Sequence, residues 1–222
     1  RNVKILAISD VASKALWCPQ CRERLEGVDL ILSCGDLPRA YLEFLTNFTP
    51  VPILYVHGNH DKEYAAQEPG GCICVDDGVY VWRGLRVVGL GGSMRYNRES
   101  PYQYTEAAMR RRIAKLRPKV RRLGGVDLLL THAPARGLND GEDLPHRGFE
   151  CFNAFLDEWQ PRWFVHGHIH LFYDYKLPRV CQRGETTVIN ATERYTFETP
   201  DLEYHPAKKF FFLESFAAMF SR

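Results

Sequence analysis

The sequence lacks any long hydrophobic run, any strong excess of charge and any low-complexity segment. No apolar stretch approaches the roughly 18–20 residues that a membrane span needs, and the apolar run before Ser9 and Asp10 is shorter than a signal-peptide core. The 29 Lys and Arg residues against 27 Asp and Glu residues leave a formal charge of +2, so no global field demands an anionic partner. An apolar fraction of 45% among 222 residues excludes a disordered or fibrous protein and favours one folded domain.

The seven cysteines form no recognisable disulfide framework. An odd number scattered over a chain of this length is unlike a secreted, disulfide-stapled protein, so we predict a cytoplasmic location. Cys18 and Cys21, preceded by Trp17, have the spacing of a redox pair. They would form a structural zinc site only if the fold brought Cys72 and Cys74 close to them. Plain reduced thiols are the third interpretation.

Short apolar runs typical of buried strands alternate with stretches of helical periodicity. The strands are predicted at 3–8, 30–34, 53–57, 79–82, 85–90, 127–131, 163–166, 171–176 and 186–190. Helices are predicted after the first strand, at 41–48, at 104–123 with a kink or break at Pro118, and at 149–159. This β-α-β-α-β order indicates an α/β protein whose sheet is covered by helices.

Side chains able to bind metal ions follow the predicted strands at the points where they end. They are Asp10, Asp36, Asn59, His60, Asp61, His132, His168 and His170. Ligands of such folds bind at the edge where strands end, so we expect these groups to converge. His168 and His170 lie two residues apart, which places both side chains on one face of an extended segment. Carboxylates, imidazoles and an amide form a mixed oxygen and nitrogen set that suits divalent ions such as Mn²⁺, Fe²⁺ or Zn²⁺.

Five segments resemble the motifs of the calcineurin-like metallophosphoesterase superfamily. They are Ser9-Asp10, Cys34-Gly35-Asp36, Gly58-Asn59-His60-Asp61, Thr131-His132-Ala133-Pro134 and Gly167-His168-Ile169-His170. The resemblance implies a four-layer αββα sandwich of two mixed β-sheets flanked by helices, here assigned to residues 1–195. It also implies metal-dependent hydrolysis of a phosphate monoester or diester with two divalent metal ions.

The resemblance assigns a role to each motif residue. Asp36 would bridge both metal ions; Asn59, His132 and His168 would complete the shell of one ion, while Asp10 and His170 would hold the other. A metal-bridged hydroxide would then attack phosphorus, and His60 would protonate the leaving oxygen as general acid. Asp61 would orient the His60 imidazole. Asn59 would also contact the substrate.

The first motif departs from the family pattern. The family has Asp-x-His at this place, whereas this chain has Asp10-Val11-Ala12. A methyl group cannot bind a cation, so we predict weak binding of the ion held by Asp10 and His170. Two interpretations follow: a working phosphoesterase with one labile metal ion, or a metal-binding scaffold of the same fold with little or no turnover. The presence of His60 favours the enzyme, because a scaffold has no physical need for a leaving-group acid.

A long polar segment, residues 137–148, directly follows the segment of His132. We expect this loop to overhang the site, with Arg147 binding phosphate through its two parallel N–H groups and His146 adding a proton donor. A covered site favours a small phosphorylated substrate.

Two other segments bear on partners. Eight basic residues between 110 and 122 form the only strong charge cluster; a solvated helix face is favoured over contact with nucleic acid, because no aromatic residues interleave them. The tail, residues 196–222, carries apolar residues that suit one helix face. We predict that it packs on the domain or forms a homo-oligomer interface, since it is too short to span a membrane.

Overall fold

The computed structural model describes residues 2–171 and 177–200. The strands are β1 Val3–Ser9, β2 Leu30–Ser33, β3 Ile53–Tyr55, β4 Ile73–Cys74, β5 Gly78–Trp82, β6 Leu85–Leu90, β7 Ser93–Met94, β8 Gln103–Tyr104, β9 Leu128–Thr131, β10 Trp163–His166, β11 Val180–Arg183, β12 Thr186–Asn190 and β13 Glu193–Thr199. The α-helices are α1 Cys21–Arg24, α2 Arg39–Thr46, α3 Glu106–Arg122 and α4 Glu150–Trp159. A 3₁₀ turn spans Lys62–Ala65.

The strands form two large mixed sheets and one small pair. The first sheet has the order β13-β1-β2-β3-β4, and the second has the order β11-β12-β10-β9-β6-β5. Within each sheet the central strands run parallel, whereas β13, β11 and β5 pair in the antiparallel direction. The central strands of a sheet therefore end at one edge. β7 and β8 form a separate parallel pair.

Alternation along the strands divides the core into three apolar layers. In β1, Ile5 and Ala7 face the layer between the two sheets, while Leu6 and Ile8 face the layer beneath α1 and α2. A third layer packs the second sheet against α3 and α4, with Met109 and Phe152 among its buried side chains. Helix, sheet, sheet and helix thus stack in that order, which confirms the predicted four-layer αββα sandwich.

A kink or break was predicted at Pro118; helix α3 continues through it, so the helix is not broken there. Pro118 lies on the exposed side of the helix, and so does Ala114, whose carbonyl loses its usual donor. Water can reach that carbonyl, which removes most of the cost of the missing hydrogen bond. The helix begins at a capping residue, since the Thr105 hydroxyl accepts a hydrogen bond from the Ala108 amide at 3.2 Å.

Some helices and strands differ from the predicted ones in their bounds or were not predicted. The predicted strand at 171–176 falls mostly outside the described residues, and so does most of the tail. β13 extends to Thr199, past the predicted boundary at 195. β11 and β13 were not predicted. None of the helices in the part of the chain that the structure describes is long and apolar enough to cross a membrane.

Candidate metal centre

Three of the predicted ligands occupy unusual backbone positions. Asp10, Asp36 and His168 all have positive φ angles, of 62°, 56° and 67°. Residues other than glycine adopt this left-handed conformation rarely, and such positions concentrate at functional sites. Each of the three follows a strand directly or by a short turn, so the chain bends sharply and leaves the side chain at the sheet edge.

One half of the predicted metal site is closely assembled. The ligand atoms of Asp36, His132 and His168 lie within 4.8 Å of one another. His132 Nε2 lies 2.9 Å from Asn59 Oδ1 and 3.4 Å from Asp36 Oδ2. The predicted set of Asp36, Asn59, His132 and His168 therefore converges on one point. We refer to these four residues as the Asp36 cluster.

Backbone carbonyls fix the two imidazoles of the cluster. His132 Nδ1 lies 2.7 Å from the Cys34 carbonyl oxygen, and His168 Nε2 lies 2.7 Å from that of Pro145. A carbonyl can only accept, so each of these ring nitrogens carries the proton. The opposite nitrogen of His168, Nδ1, is left with a lone pair for a cation, whereas His132 Nε2 faces the Asn59 Oδ1 acceptor at 2.9 Å and would have to release a proton to bind one.

The second half of the site is more open. His170 Nε2 lies 3.9 Å from Asp10 Oδ1, and the Asp10 carboxylate also accepts a hydrogen bond from the His168 backbone amide at 2.9 Å. Ala12 is half-buried at the edge of the apolar layer beneath α1 and α2, and its methyl group offers a cation no donor atom. This half thus presents one carboxylate and one imidazole, with Asp36 as the neighbouring carboxylate.

His60 and Asp61 lie beside the cluster in different environments. The His60 amide donates a hydrogen bond to Asp36 Oδ1 at 2.7 Å, while the residue itself is exposed. Asp61 is buried, and its Oδ2 accepts hydrogen bonds from the amides of Gly58 and Asp36, at 2.7 and 3.0 Å. The hydrogen bonds of this carboxylate therefore tie two ligand-bearing loops together; that Asp61 also orients the His60 ring stays a prediction.

The polar loop at 137–148 reaches the cluster. Beyond the Pro145 carbonyl, the His146 ring lies 5.4 Å from the His168 ring, and His146 Nδ1 pairs with Asp143 Oδ2 at 2.7 Å. Arg147 is exposed and donates to the Glu142 carbonyl of the same loop at 3.2 Å. Of the two residues predicted to bind substrate from this loop, the structure brings His146 to the site and holds Arg147 within the loop.

Comparison with a family model identifies the domain. The model of the calcineurin-like phosphoesterase superfamily domain matches residues 3–196. The chain belongs to this superfamily. A curated relative, the uncharacterized protein MJ1162 of Methanocaldococcus jannaschii, is 25% identical over 210 residues, which cover 89% of this chain and 91% of that protein.

Solved structures share the superfamily fold. TT1561 of Thermus thermophilus superposes with a TM-score of 0.59 at 18% identity, covering 87% of this chain and 90% of that one. GAP50, described as the anchor in the inner membrane complex of Plasmodium, gives a TM-score of 0.53 at 12% identity, covering 85% and 71%. Another solved structure reaches 0.67 at 16% identity, covering 89% and 95%. At these identities the likeness is one of fold alone.

The electrostatics of the cluster suit a cation, as expected for a phosphoesterase of this superfamily. Burial alone would lower the pKa of His132, but the carboxylates of Asp36 and Asp10 raise it to about 9. Burial, followed by the charge of His132, lowers the pKa of His168 to about 3, so this ring is neutral, as ligation requires. Burial would raise the pKa of Asp36, yet His132 and the His60 amide bring it to about 2. The carboxylates thus attract positive charge, and the donor set fits divalent metal ions.

The cysteines do not form a zinc site. Among residues 2–171 and 177–200, the one group of three or more metal-binding side chains contains no cysteine. All seven cysteines are free thiols. The zinc interpretation of Cys18, Cys21, Cys72 and Cys74 is therefore wrong, because the fold does not bring the two pairs together. Cys21 is buried and its pKa is raised by that burial, which disfavours the reactive thiolate.

Three groups at the site were not predicted. The carbonyls of Cys34 and Pro145 orient the imidazoles, and the Tyr96 hydroxyl lies 3.2 Å from Asn59 Nδ2. A backbone carbonyl leaves no residue-type signature in a sequence. Tyr96 lies two residues after the end of β7, but its neighbours in the sequence do not distinguish it from any surface tyrosine.

Proposed function

We propose that this protein hydrolyses phosphate esters with divalent metal ions held by the Asp36 cluster and by Asp10 and His170. The observation that carries this proposal is the convergence of Asp36, Asn59, His132 and His168, drawn from four distant segments, on one point at the strand ends. Such ions, when bound, supply Lewis acidity that acidifies water and neutralises charge on the phosphoryl group. Membership of the superfamily supports the same reaction class.

His60 is proposed as the general acid. Its backbone is fixed to Asp36 by the amide hydrogen bond, while the residue is open to solvent at the mouth of the site. A leaving oxygen arriving from solvent can therefore meet the imidazole without displacing a metal ligand. Histidine suits proton donation because its pKa lies near neutrality. Asp61, the next residue, ties the Asp36 loop to the Gly58 loop through its two backbone hydrogen bonds.

The first test is His60→Ala assayed with Mn²⁺ on aryl phosphate monoesters and diesters. We expect the rate to fall about 10²–10⁴-fold, since the departing oxygen loses its proton source. The loss should be larger for phenyl phosphate than for p-nitrophenyl phosphate, because p-nitrophenolate is a weak base that leaves with little help.

Each alternative outcome has a distinct meaning. Equal rates for the wild type and His60→Ala would contradict the proposed mechanism. A wild type that binds Mn²⁺ but turns over neither ester would favour the second candidate, a metal-binding scaffold. Ala12 is the observation that favours this candidate, because a methyl group cannot bind a cation. Equal losses with both leaving groups would show that His60 does not act as the acid.

The second test concerns the missing ligand. We expect Ala12→His to raise the tightly bound Mn²⁺ from about one to about two ions per chain, because an imidazole is a strong donor for such ions. Elemental analysis after gel filtration measures the count. Ala15→His, which adds an imidazole to the same loop outside the motif, should leave the count unchanged. If the wild type already holds two ions, another group fills the gap and the proposed labile site is wrong.

The substrate proposed is a small phosphorylated molecule. The polar loop contacts His168 through Pro145 and places His146 beside it, which narrows the approach for a polymer. The basic cluster of α3 has fewer cations available to bind nucleic acid than its sequence suggests, since Arg112 is buried and Arg117 forms an ion pair with Glu158 at 2.7 Å.

Free thiols at all seven cysteines support a reducing compartment such as the cytoplasm.

A further inference from the structure

The loop between β7 and β8 lies against the segment that carries Asn59. Two hydrogen bonds join them: Asn59 Nδ2 donates to the Tyr96 hydroxyl at 3.2 Å, and the Ser100 hydroxyl donates to the Asn59 carbonyl at 2.9 Å. The other atom of the same side-chain amide, Oδ1, lies 2.9 Å from His132 Nε2. The Tyr96 hydroxyl therefore contacts the Asp36 cluster at Asn59 and is separated from His132 by the width of a single side-chain amide.

The position of Tyr96 is set by its loop and not by burial of its ring. The side-chain oxygen of Gln103, which is 2% exposed, accepts hydrogen bonds from the amides of Tyr96 and Asn97 at 3.1 and 2.8 Å. The Arg95 guanidinium donates twice to the Gln103 carbonyl at 3.2 Å. Tyr96 itself is 40% exposed, which is unusual for a large aromatic residue held so firmly at its backbone.

The hydrogen bond from Asn59 also determines which way the tyrosine proton points. Because the Tyr96 oxygen accepts from Asn59 Nδ2, its own O–H must be directed elsewhere. No acceptor for that proton lies among residues 2–171 and 177–200. A hydroxyl donor held beside Asn59, on a residue that is 40% exposed, is placed to meet an anionic oxygen at the site.

We propose that Tyr96 is a substrate-binding residue whose hydroxyl, oriented by Asn59, donates a hydrogen bond to the phosphoryl group bound at the Asp36 cluster. This inference rests on the proposed function, since it takes the ligand to be a phosphate or its ester. It makes the β7–β8 loop part of the wall of the site, in addition to the polar loop of His146.

The test is phosphate binding by Tyr96→Phe, which keeps the ring and removes only the hydroxyl. We expect the dissociation constant for inorganic phosphate, measured by calorimetry on the Mn²⁺-loaded protein, to rise about 10- to 100-fold, because one hydrogen bond to a charged group is lost. The kcat/KM for p-nitrophenyl phosphate should fall by a similar factor. Mn²⁺ affinity without phosphate, followed by electron paramagnetic resonance, should be unchanged.

A matched control is Tyr80→Phe, which removes the hydroxyl of a half-buried tyrosine on β5. It should alter neither phosphate nor Mn²⁺ binding. The proposal is overturned if Tyr96→Phe binds phosphate as the wild type does, if the wild type binds no phosphate, or if Mn²⁺ affinity falls with phosphate affinity, which would mean that Tyr96 acts only through Asn59. A wild type that binds phosphate through Tyr96 yet hydrolyses no ester would retain this inference and refute the proposed function.

Discussion

Replacing Gly58 with alanine should abolish metal binding and activity together. A Cβ at this position would lie 2.0 Å from Asp36 Oδ1 and 2.5 Å from the Asp36 amide nitrogen. Both atoms are held in place, because the His60 amide donates to Asp36 Oδ1 while Asp61 Oδ2 accepts from the Asp36 and Gly58 amides at once. The Asp36 carboxylate would have to leave its place in the cluster. Gly35 lies against Gly58 from the other loop, and a Cβ added to Gly35 would lie 2.2 Å from the Gly58 amide nitrogen.

Mn²⁺ binding, ester hydrolysis and urea unfolding measure the effect of Gly58→Ala. We expect no Mn²⁺ retained after gel filtration, activity at background, and a free energy of unfolding lowered by about 1–3 kcal/mol, the range for overpacking a tight site. Gly70→Ala is the matched control, since a Cβ there would make an ordinary contact with Glu43 Oε1 at 3.4 Å. Wild-type metal binding by Gly58→Ala would show that the Asp36 carboxylate is not the ligand we take it to be.

The periodicity of apolar residues predicted the helices and strands well wherever a segment carried a single helical or strand pattern. β10 and β12 begin and end at the predicted residues, because both are short runs rich in β-branched or aromatic residues. β13 was not predicted, since Tyr195 and Phe197 are its only aromatic or aliphatic residues; it pairs with β1 along its whole length and packs Phe197 into the layer between the sheets. β11 is an edge strand of similar character. Strands defined by their partners leave a weak local signal.

The site was predictable as a set of residue types but not as a hydrogen-bond network. Strand ends indicated where Asp36, Asn59 and His132 would meet, because parallel strands share an edge. The sequence did not indicate that Asp61 binds two backbone amides, because a carboxylate next to a histidine suggests an ion pair just as well. Tyr96 lies 37 residues from Asn59, a separation that only the tertiary fold closes.

Replacing Arg112 with methionine should cause a large loss of stability. Arg112 leaves the basic cluster of α3 and enters the protein, where its side chain is 9% exposed. Its guanidinium donates to Asp76 Oδ1, to Asp77 Oδ1 and to the Gly91 carbonyl, each at 2.7 Å. It also stacks over Tyr104, with Cζ 4.0 Å from the ring centroid.

Without Arg112, the carboxylate of Asp76 would be buried with much less compensation. Burial would raise the pKa of Asp76, but the hydrogen bond from His57 and the charge of Arg112 lower it on balance. Removing one partner of a buried ion pair costs about 3–5 kcal/mol, so we expect Arg112→Met to lower the free energy of urea unfolding by that amount. Arg110→Met, at an exposed position of the same helix, breaks only a surface pair with Glu106 and should cost less than about 0.5 kcal/mol.

Acidification gives this prediction a second readout. A carboxylate whose pKa is lowered by folding contributes stability above its ordinary pKa, here 3.8, and that contribution disappears as pH falls through the lower folded value. The difference between the wild type and Arg112→Met should therefore shrink below about pH 4, where Asp76 can be protonated in the variant. A difference that is constant down to pH 3 would mean that Arg112 stabilises the fold through its hydrogen bond to the Gly91 carbonyl and its packing on Tyr104, and not through its charge on Asp76. The same variant should also weaken Mn²⁺ binding. Asp76 Oδ2 lies 2.8 Å from His57 Nδ1, and His57 immediately precedes Gly58, so a displaced Asp76 would loosen the loop that carries Asn59.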